Sequence, residues 1–439
     1  MTINELKLTL KNSGVVGAGG AGFPSYAKLS DKADTILLNC AECEPLLKLH
    51  RQVMQVYANE ILTALDTVRE TVGAQRAIVA IKPSYKKAVD AVKALLGNFK
   101  NIEIGLLPEV YPAGDEVVTI YETTGRVVPA GKIPIEVGVT VFNVETILNA
   151  YYAITKGAGV THKYITVTGA VKNPITLRVP LGITVKEVID LAGGPTIKEY
   201  ALINGGPMTG SIAAESDVIT KTSNAILVLP PDQYVIKKRT SNPSISLKRA
   251  MSACCQCRMC TDLCPRNLLG HPIEPHKFMR SAANKDFQDT NVFLNTMFCS
   301  SCGLCELYSC PQGLSPRSMI AEYKGELRKC GVKPPVVEAA PVEPSREYRR
   351  VPEERLAARL GLVKYDVDAP LDDQIRSAKE VKILLSQHIG APASACVKEG
   401  DTVKIGDIVA TAAKGLSVNI HASIEGTVKE VTDKFVIIQ

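Results

Sequence analysis

The sequence predicts a multidomain protein of mixed α/β and α+β class, and three observations carry that prediction. Its 439 residues exceed what one hydrophobic core ordinarily organises. Apolar strand-like runs alternate with helical patterns over the first 160 residues, the pattern of a sheet with parallel pairs. Most of the 13 cysteines fall in two short runs between Cys254 and Pro311, which sets that stretch apart as a unit of its own. The expected division is an α/β unit over 1–160, a small α+β unit over 161–235, a cysteine-rich helical unit over 245–330, a Pro-rich linker with a short helix over 331–375, and a β unit over 376–439.

Composition narrows the setting. No run approaches the eighteen apolar residues of a membrane span, and the N-terminus lacks the charged-then-apolar layout of a secretion signal. A cytoplasmic protein without direct membrane insertion is expected, with reduced thiols available as ligands. The formal charge of +6 is modest for this length and comes without basic blocks or a nucleic-acid motif, so no nucleic-acid partner is expected.

Taken in order, the chain first shows a glycine cluster from Gly14 to Gly22, followed by Phe23-Pro24, which lets backbone N–H groups approach a ligand. A strand at Thr35–Leu38 delivers Asn39-Cys40-Ala41-Glu42-Cys43-Glu44-Pro45, and a long helical pattern runs on to about Val72. A strand at Ala77–Ile81, a helix at Tyr85–Leu96 and a strand at Ile102–Leu107 lead to Tyr111-Pro112-Ala113-Gly114-Asp115-Glu116. A last strand ends in Asn143-Val144-Glu145-Thr146. Polar motifs that each follow a strand fit a sheet whose ligand sits beyond the strands' carboxyl ends. Cys40 and Cys43 form a C-x2-C, read as two small residues flanking an acidic loop because no second pair lies nearby.

From Lys163 a strand ends in a turn at Asn173-Pro174. Leu177–Pro180, a helix at Thr184–Ala192, the turn Gly205-Gly206-Pro207-Met208 and a strand at Ala225–Leu229 complete a compact unit. That turn reads as structural, with a contact to the first unit or to the cysteine-rich unit as the alternative. The cysteine runs then carry the strongest signal. The first reads Cys254-Cys255-Gln256-Cys257-Arg258-Met259-Cys260, then Cys264-Pro265. The second reads Cys299-Ser300-Ser301-Cys302-Gly303-Leu304-Cys305, then Cys310-Pro311. The first keeps the C-x2-C-x2-C-x3-C-P spacing of two-cluster ferredoxins, and the second adds one residue before its last cysteine. Three thiolates wrap one face of a cubane and the fourth crosses to the other cluster. The expected ligands are thus Cys254, Cys257, Cys260 and Cys310 for one 4Fe–4S cluster, and Cys299, Cys302, Cys305 and Cys264 for the other. Cys255 is read as packing, and a pair of zinc knuckles is the alternative. Between the runs a helical excursion is expected, with His271 and His276 in loop and cap roles. Gly-Asp turns after Val381 punctuate short strands that resemble the barrel-sandwich hybrid of biotinyl and lipoyl carriers, without their lysine tip.

The four N-terminal motifs, in this order, resemble the flavoprotein subunit of respiratory complex I. Closer still is the family that holds the C subunit of the Rnf complex and the cobalamin reductase of propanediol-utilisation microcompartments. The resemblance implies an FMN site fed by NADH, a soluble-ligand-binding β-grasp unit and the two clusters. Residue by residue, it implies that Gly17, Gly19 and Gly20 line a phosphate loop with Lys28 beyond it. Phe23 would stack on the dinucleotide, and Asn39, Tyr111, Gly114, Asp115, Asn143 and Thr146 would surround the cofactors. The carboxylates Glu42, Glu44 and Glu116 are the catalytic candidates. Ala41 and Phe142 depart from the complex I pattern, which has Asp and Asn there. The β unit comes last here, as in the cobalamin reductase, whereas it precedes the flavin unit in the Rnf protein. The implied function is an NADH-dependent oxidoreductase that takes hydride onto FMN and passes single electrons through two clusters to a corrinoid or a corrinoid-handling enzyme, inside a microcompartment whose shell protein is a further candidate partner. The alternatives are a peripheral Rnf-type subunit that exchanges electrons with ferredoxin, and an electron-transfer scaffold that binds no dinucleotide.

Overall fold

A computed structural model describes residues 1–439, the side chain of Pro243 excepted. The first unit is built on four parallel strands in the order Ile102–Leu106, Arg76–Ile81, Thr35–Asn39, Val139–Asn143. Their side chains alternate between two cores, as strands buried on both faces require. Ile36, Leu38, Val79 and Phe142 meet the helices Leu49–Val56, Ala58–Val72 and Val144–Lys156, while Leu37, Ala80, Val139 and Val141 meet the helix Glu116–Thr124. The helix expected to run unbroken to Val72 is interrupted at Tyr57, which serves as C-cap of one helix and N-cap of the next. Asp115 and Asn143 cap the two helices that leave the site, each accepting backbone N–H groups of the first turn.

The middle unit is a six-stranded sheet in the order Leu371–Ile375, Ile175–Pro180, His162–Gly169, Ala225–Leu229, Ala201–Asn204, Ser211–Ala213. The helix Val185–Leu191 covers it, started by a capping box between Thr184 and Glu187. The edge strand Leu371–Ile375 comes from the stretch expected to be linker. That stretch also supplies Val351–Pro352, paired with Val110–Tyr111, and the short charged helix Glu353–Arg359. Alternation in Leu-Asp-Asp-Gln-Ile is weak and its partner lies almost two hundred residues upstream, so the sequence carries little sign of it.

Between and around the cysteine runs the chain is helical. The helices Pro243–Ala253, Pro275–Asn284 and Pro316–Lys329 enclose Phe278, Met279, Phe293, Met319 and Ile320. The last unit packs two small sheets, Val381–Leu384 with Phe435–Ile438, Gly426–Val431 and Thr402–Val403, against Ser394–Ala395 with Ile408–Thr411 and Ile420–His421. No described helix is long and apolar enough to cross a membrane.

Candidate functional site

The site lies beyond the carboxyl ends of the parallel strands, where two cavities of about 280 and 190 Å³ adjoin. Gly19, Asn39, Gly114 and Asn143 line both, so the two form one cleft. The larger is walled by the glycine loop, Phe23, Lys28, Glu116 and Thr146, the smaller by Glu42, Glu44, Tyr111 and Asp115. Each of the fourteen non-cysteine residues singled out in the sequence therefore borders the cleft.

Their hydrogen bonds divide them into those that face the space and those that hold its walls. The glycine loop is closed by Gly17 N–H donating to Phe23 O (2.9 Å), and Ala18 N–H donates to Thr146 Oγ1 (2.9 Å). Thr146 thus carries the loop from beneath. The N–H groups of Gly19, Gly20 and Ala21 donate to no protein acceptor among the described residues. A Cβ at Gly20 would meet nothing within 4 Å, whereas one at Gly19 would come within 2.5 Å of Asn143 Nδ2. This bare, donor-rich cradle fits a phosphate-bearing ligand.

Asn39 donates to Gly114 O (2.9 Å) and accepts from Ala41 N–H (3.0 Å), so it pins the two facing turns together. A Cβ on Gly114 would lie 2.4 Å from Ala41 O, which explains glycine there. Lys28 Nζ is shared by Glu116 Oε1 and Val141 O, both at 3.0 Å. Glu42 is buried; one carboxylate oxygen accepts from His50 N–H (2.9 Å) and the other makes no hydrogen bond, with His50 Nδ1 3.8 Å away. An unpaired buried carboxylate oxygen bordering a cavity is a place for a ligand's hydrogen-bond donor.

Three expected site residues are committed elsewhere. Glu44 accepts from Met208 N–H (2.8 Å) and from the Thr209 hydroxyl, which docks the Gly205–Met208 turn onto the first unit; burial raises its carboxyl above the usual range. Met208 O also sits 3.1 Å from where a Cβ on Gly303 would stand, so the turn touches the second cysteine run as well. Asp115, besides capping its helix, accepts from Arg266 (2.8 Å) of the cysteine-rich unit. Tyr111 donates to Cys302 O (2.6 Å). Cys43 accepts from Gly114 N–H (3.3 Å) and is pushed up to about 12 by burial, which suits a protonated wall residue. The structure adds His50, 3.0 Å from Asn143 Nδ2 and kept toward its neutral form by burial, and Asn224 and Ser300 on the inner rim. A single histidine inside a helix, with no motif around it, gives no signal in the sequence.

The cysteine runs adopt matching backbones. Gln256 and Arg258 in the first, and Ser301 and Gly303 in the second, have positive φ at equivalent places around the middle cysteine. Such turns fold the chain around a centre and aim N–H groups inward: Ser301 donates to Cys299 Sγ (3.3 Å) and Leu314 to Cys310 Sγ (3.4 Å). Cys254, Cys257, Cys260 and Cys310 border one small cavity. Cys260, raised to about 12 chiefly by burial, feels the charges of Cys310, Cys254 and Cys257, whereas Cys302 feels Cys264 and Cys299. The fourth cysteine of each run thus sits with the opposite triad. None of them is joined in a disulfide. Cys255, expected to pack, is instead exposed on the rim of the first group, because the helix ends at Cys254 and the next residue turns outward. His276 lies 2.8 Å from Thr261 Oγ1 at the start of its helix, and His271 meets Val128 O at 2.9 Å.

Family descriptions match in the same order: the Nuo51 FMN-binding domain over 10–152, the SLBB domain over 164–211, the 4Fe-4S dicluster domain over 253–315 and the RnfC barrel sandwich hybrid domain over 368–439. The cobalamin reductase PduS of Citrobacter freundii is 41% identical over 430 residues, 97% of this chain and 94% of that protein; the PduS of Salmonella typhimurium is 40% identical over 99% and 96%. The chain belongs to the cobalamin reductase PduS family. As a PduS-family chain it is an oxidoreductase that combines an FMN-binding domain with a 4Fe–4S dicluster domain. A component of the Na(+)-translocating ferredoxin:NAD(+) oxidoreductase complex of Acetobacterium woodii is 32% identical over 61% of this chain and 59% of that one. An NAD+-reducing [NiFe]-hydrogenase shares the fold at 18% identity, with a TM-score of 0.50 over 76% of this chain and 63% of that one.

Proposed function

We propose that this chain is an NADH-dependent flavo-iron–sulfur reductase that delivers single electrons to a corrinoid, bringing its cobalt to the Co(I) state. The observation that carries the reading is the continuity of the cleft, which starts at the open glycine loop and ends at Ser300 and Cys302 of the second cysteine run. FMN, when bound, supplies the conversion of a two-electron hydride donor into one-electron steps, and each 4Fe–4S cluster carries one electron.

The residues divide the work. Gly19, Gly20 and Ala21 offer their free N–H groups to phosphate. Asn39 and Gly114 hold the two facing turns close together at the floor of the cleft. Glu42 offers its unpaired oxygen to a donor on flavin or nicotinamide, and Glu116, already paired with Lys28, borders the larger cavity. Asp115 and Tyr111 keep the dicluster domain seated against the flavin cleft, and Glu44 docks the Gly205–Met208 turn of the middle unit beside it. Cys254, Cys257, Cys260 and Cys310 are assigned to one cluster, and Cys299, Cys302, Cys305 and Cys264 to the other. The division of the chain into five segments at 160, 235, 330 and 375 belongs to the same reading, as does a cytoplasmic site inside a bacterial microcompartment. The near full-length match to PduS, C-terminal barrel included, favours corrinoid over the ferredoxin of an Rnf-type complex, whose matching component aligns over only 274 residues.

Anaerobic protein loaded with FMN and iron, mixed with NADH and cob(II)alamin, should show NADH oxidation coupled to loss of the cob(II)alamin spectrum. NADH oxidation that serves ferredoxin but never cob(II)alamin would overturn the assignment of the acceptor.

A further inference from the structure

The two cysteine groups differ in their surroundings. The second is enclosed: Cys305 and Glu306 are buried, Cys302 borders the flavin cleft, and Tyr111 of the first unit donates to its backbone. The first lies at the surface, with Cys255, Gln256, Cys257 and Arg258 all exposed. Electrons that start in the cleft therefore meet the enclosed group first and the exposed group last.

The surface around that exposed group has a definite character. Ile245 and Met251, on the helix leading into it, are each 58% exposed, and Met259 is 43% exposed. Exposed Lys248 and Arg249 stand beside them. Between Asp232 and Asp262 there is no acidic residue; Lys248 and Arg249 have no acidic partner among the described residues, whereas Arg258 pairs with Asp262 (3.2 Å) and Lys238 is buried against Gly313 O. Apolar anchors in a basic surround are the makings of a docking surface for an acidic partner, and flexible methionines suit transient contact. The cavity over this group is only about 30 Å³, far below the roughly 300–1,000 Å³ of a small-molecule pocket. A corrin ring has no pocket of its own there, which favours an acceptor presented on a protein surface over one bound free.

We propose that the surface formed by Ile245, Lys248, Arg249, Met251, Arg258 and Met259 is the electron exit, and that it docks the acidic face of a protein that carries the one-electron acceptor. This rests on the flavin-to-cluster reading above. Each encounter moves one electron: the exposed cluster is oxidised by one, the acceptor on the partner is reduced by one, and no bond or proton is transferred. One hydride therefore serves two encounters.

The test uses anaerobic, cofactor-loaded full-length protein with flavodoxin as an acidic one-electron probe and cytochrome c as a basic one. Hydrogen exchange should show flavodoxin protecting amides within 244–259. The double substitution Lys248→Glu, Arg249→Glu should slow flavodoxin reduction about tenfold or more at low salt, flatten its salt dependence and speed cytochrome c, leaving NADH bleaching of the flavin unchanged. Reduction is started once with NADH and once with dithionite. Failure with NADH alone would count against the donor, and the exit surface would still be judged from the dithionite arm. Protection at another surface, or a flavodoxin rate insensitive to charge reversal in that arm, would overturn the proposal.

Discussion

At the scale of single residues, the site is a set of open positions held by closed ones. Gly20 faces open space, so Gly20→Ala should leave the thermal midpoint of the apoprotein within about 1–2 °C while lowering the FMN content of the purified protein, because the added methyl enters the phosphate cradle. Gly19→Ala should do more, since its Cβ would strike Asn143, and should lower both stability and flavin content. Glu42→Gln keeps the shape and the bond from His50 but removes the charge; flavin content should hold while stopped-flow reduction by NADH slows about 10- to 100-fold. The glycines were legible in the sequence because they cluster within a few residues of one another, and Glu42 because it acts within a few residues of its own strand end. The commitments of Glu44 and Asp115 were not, since their partners Met208, Thr209 and Arg266 lie 150 or more residues away and belong to other units.

At the scale of elements, the cleft depends on joints. Asp115 caps the helix Glu116–Thr124 and pairs with Arg266, and both side chains are largely buried. Asp115→Ala removes the cap and strands the guanidinium, with an expected loss of about 3–5 kcal/mol in urea unfolding. A second joint is Lys221, fully enclosed and donating to Gly14 O (2.8 Å) and Asn419 O (3.3 Å), so that the middle unit holds the first and the last. Burial without a carboxylate lowers its pKa to about 7. Between that value and its unfolded value near 10.5 the unfolded chain binds a proton that the folded chain does not, so stability should rise with pH across this window. Chemical denaturation from pH 7 to 10 should show that rise in the native protein and its absence in Lys221→Met. The parallel strands of the first unit were legible because each is rich in apolar and β-branched residues. The edge strand Leu371–Ile375 was not, because its mixed residues gain their place only from the neighbouring strand.

At the scale of the whole molecule, the order of units matters more than any one of them. The middle unit joins the flavin domain to the barrel through Lys221, and the dicluster domain sits where the cleft ends, with Arg266, Tyr111 and the Gly205–Met208 turn at the junction. The local spacing of the cysteines announced two clusters, while the enclosed and exposed settings of the two groups arise only when the units pack. The most direct test of this account is an anaerobic titration of the loaded protein with NADH, followed by flavin absorbance and by electron paramagnetic resonance of the clusters. The account predicts about one FMN and about eight iron atoms per chain, with NADH bleaching the flavin and bringing up cluster signals together. Bound FMN and intact clusters that dithionite reduces but NADH does not would contradict it.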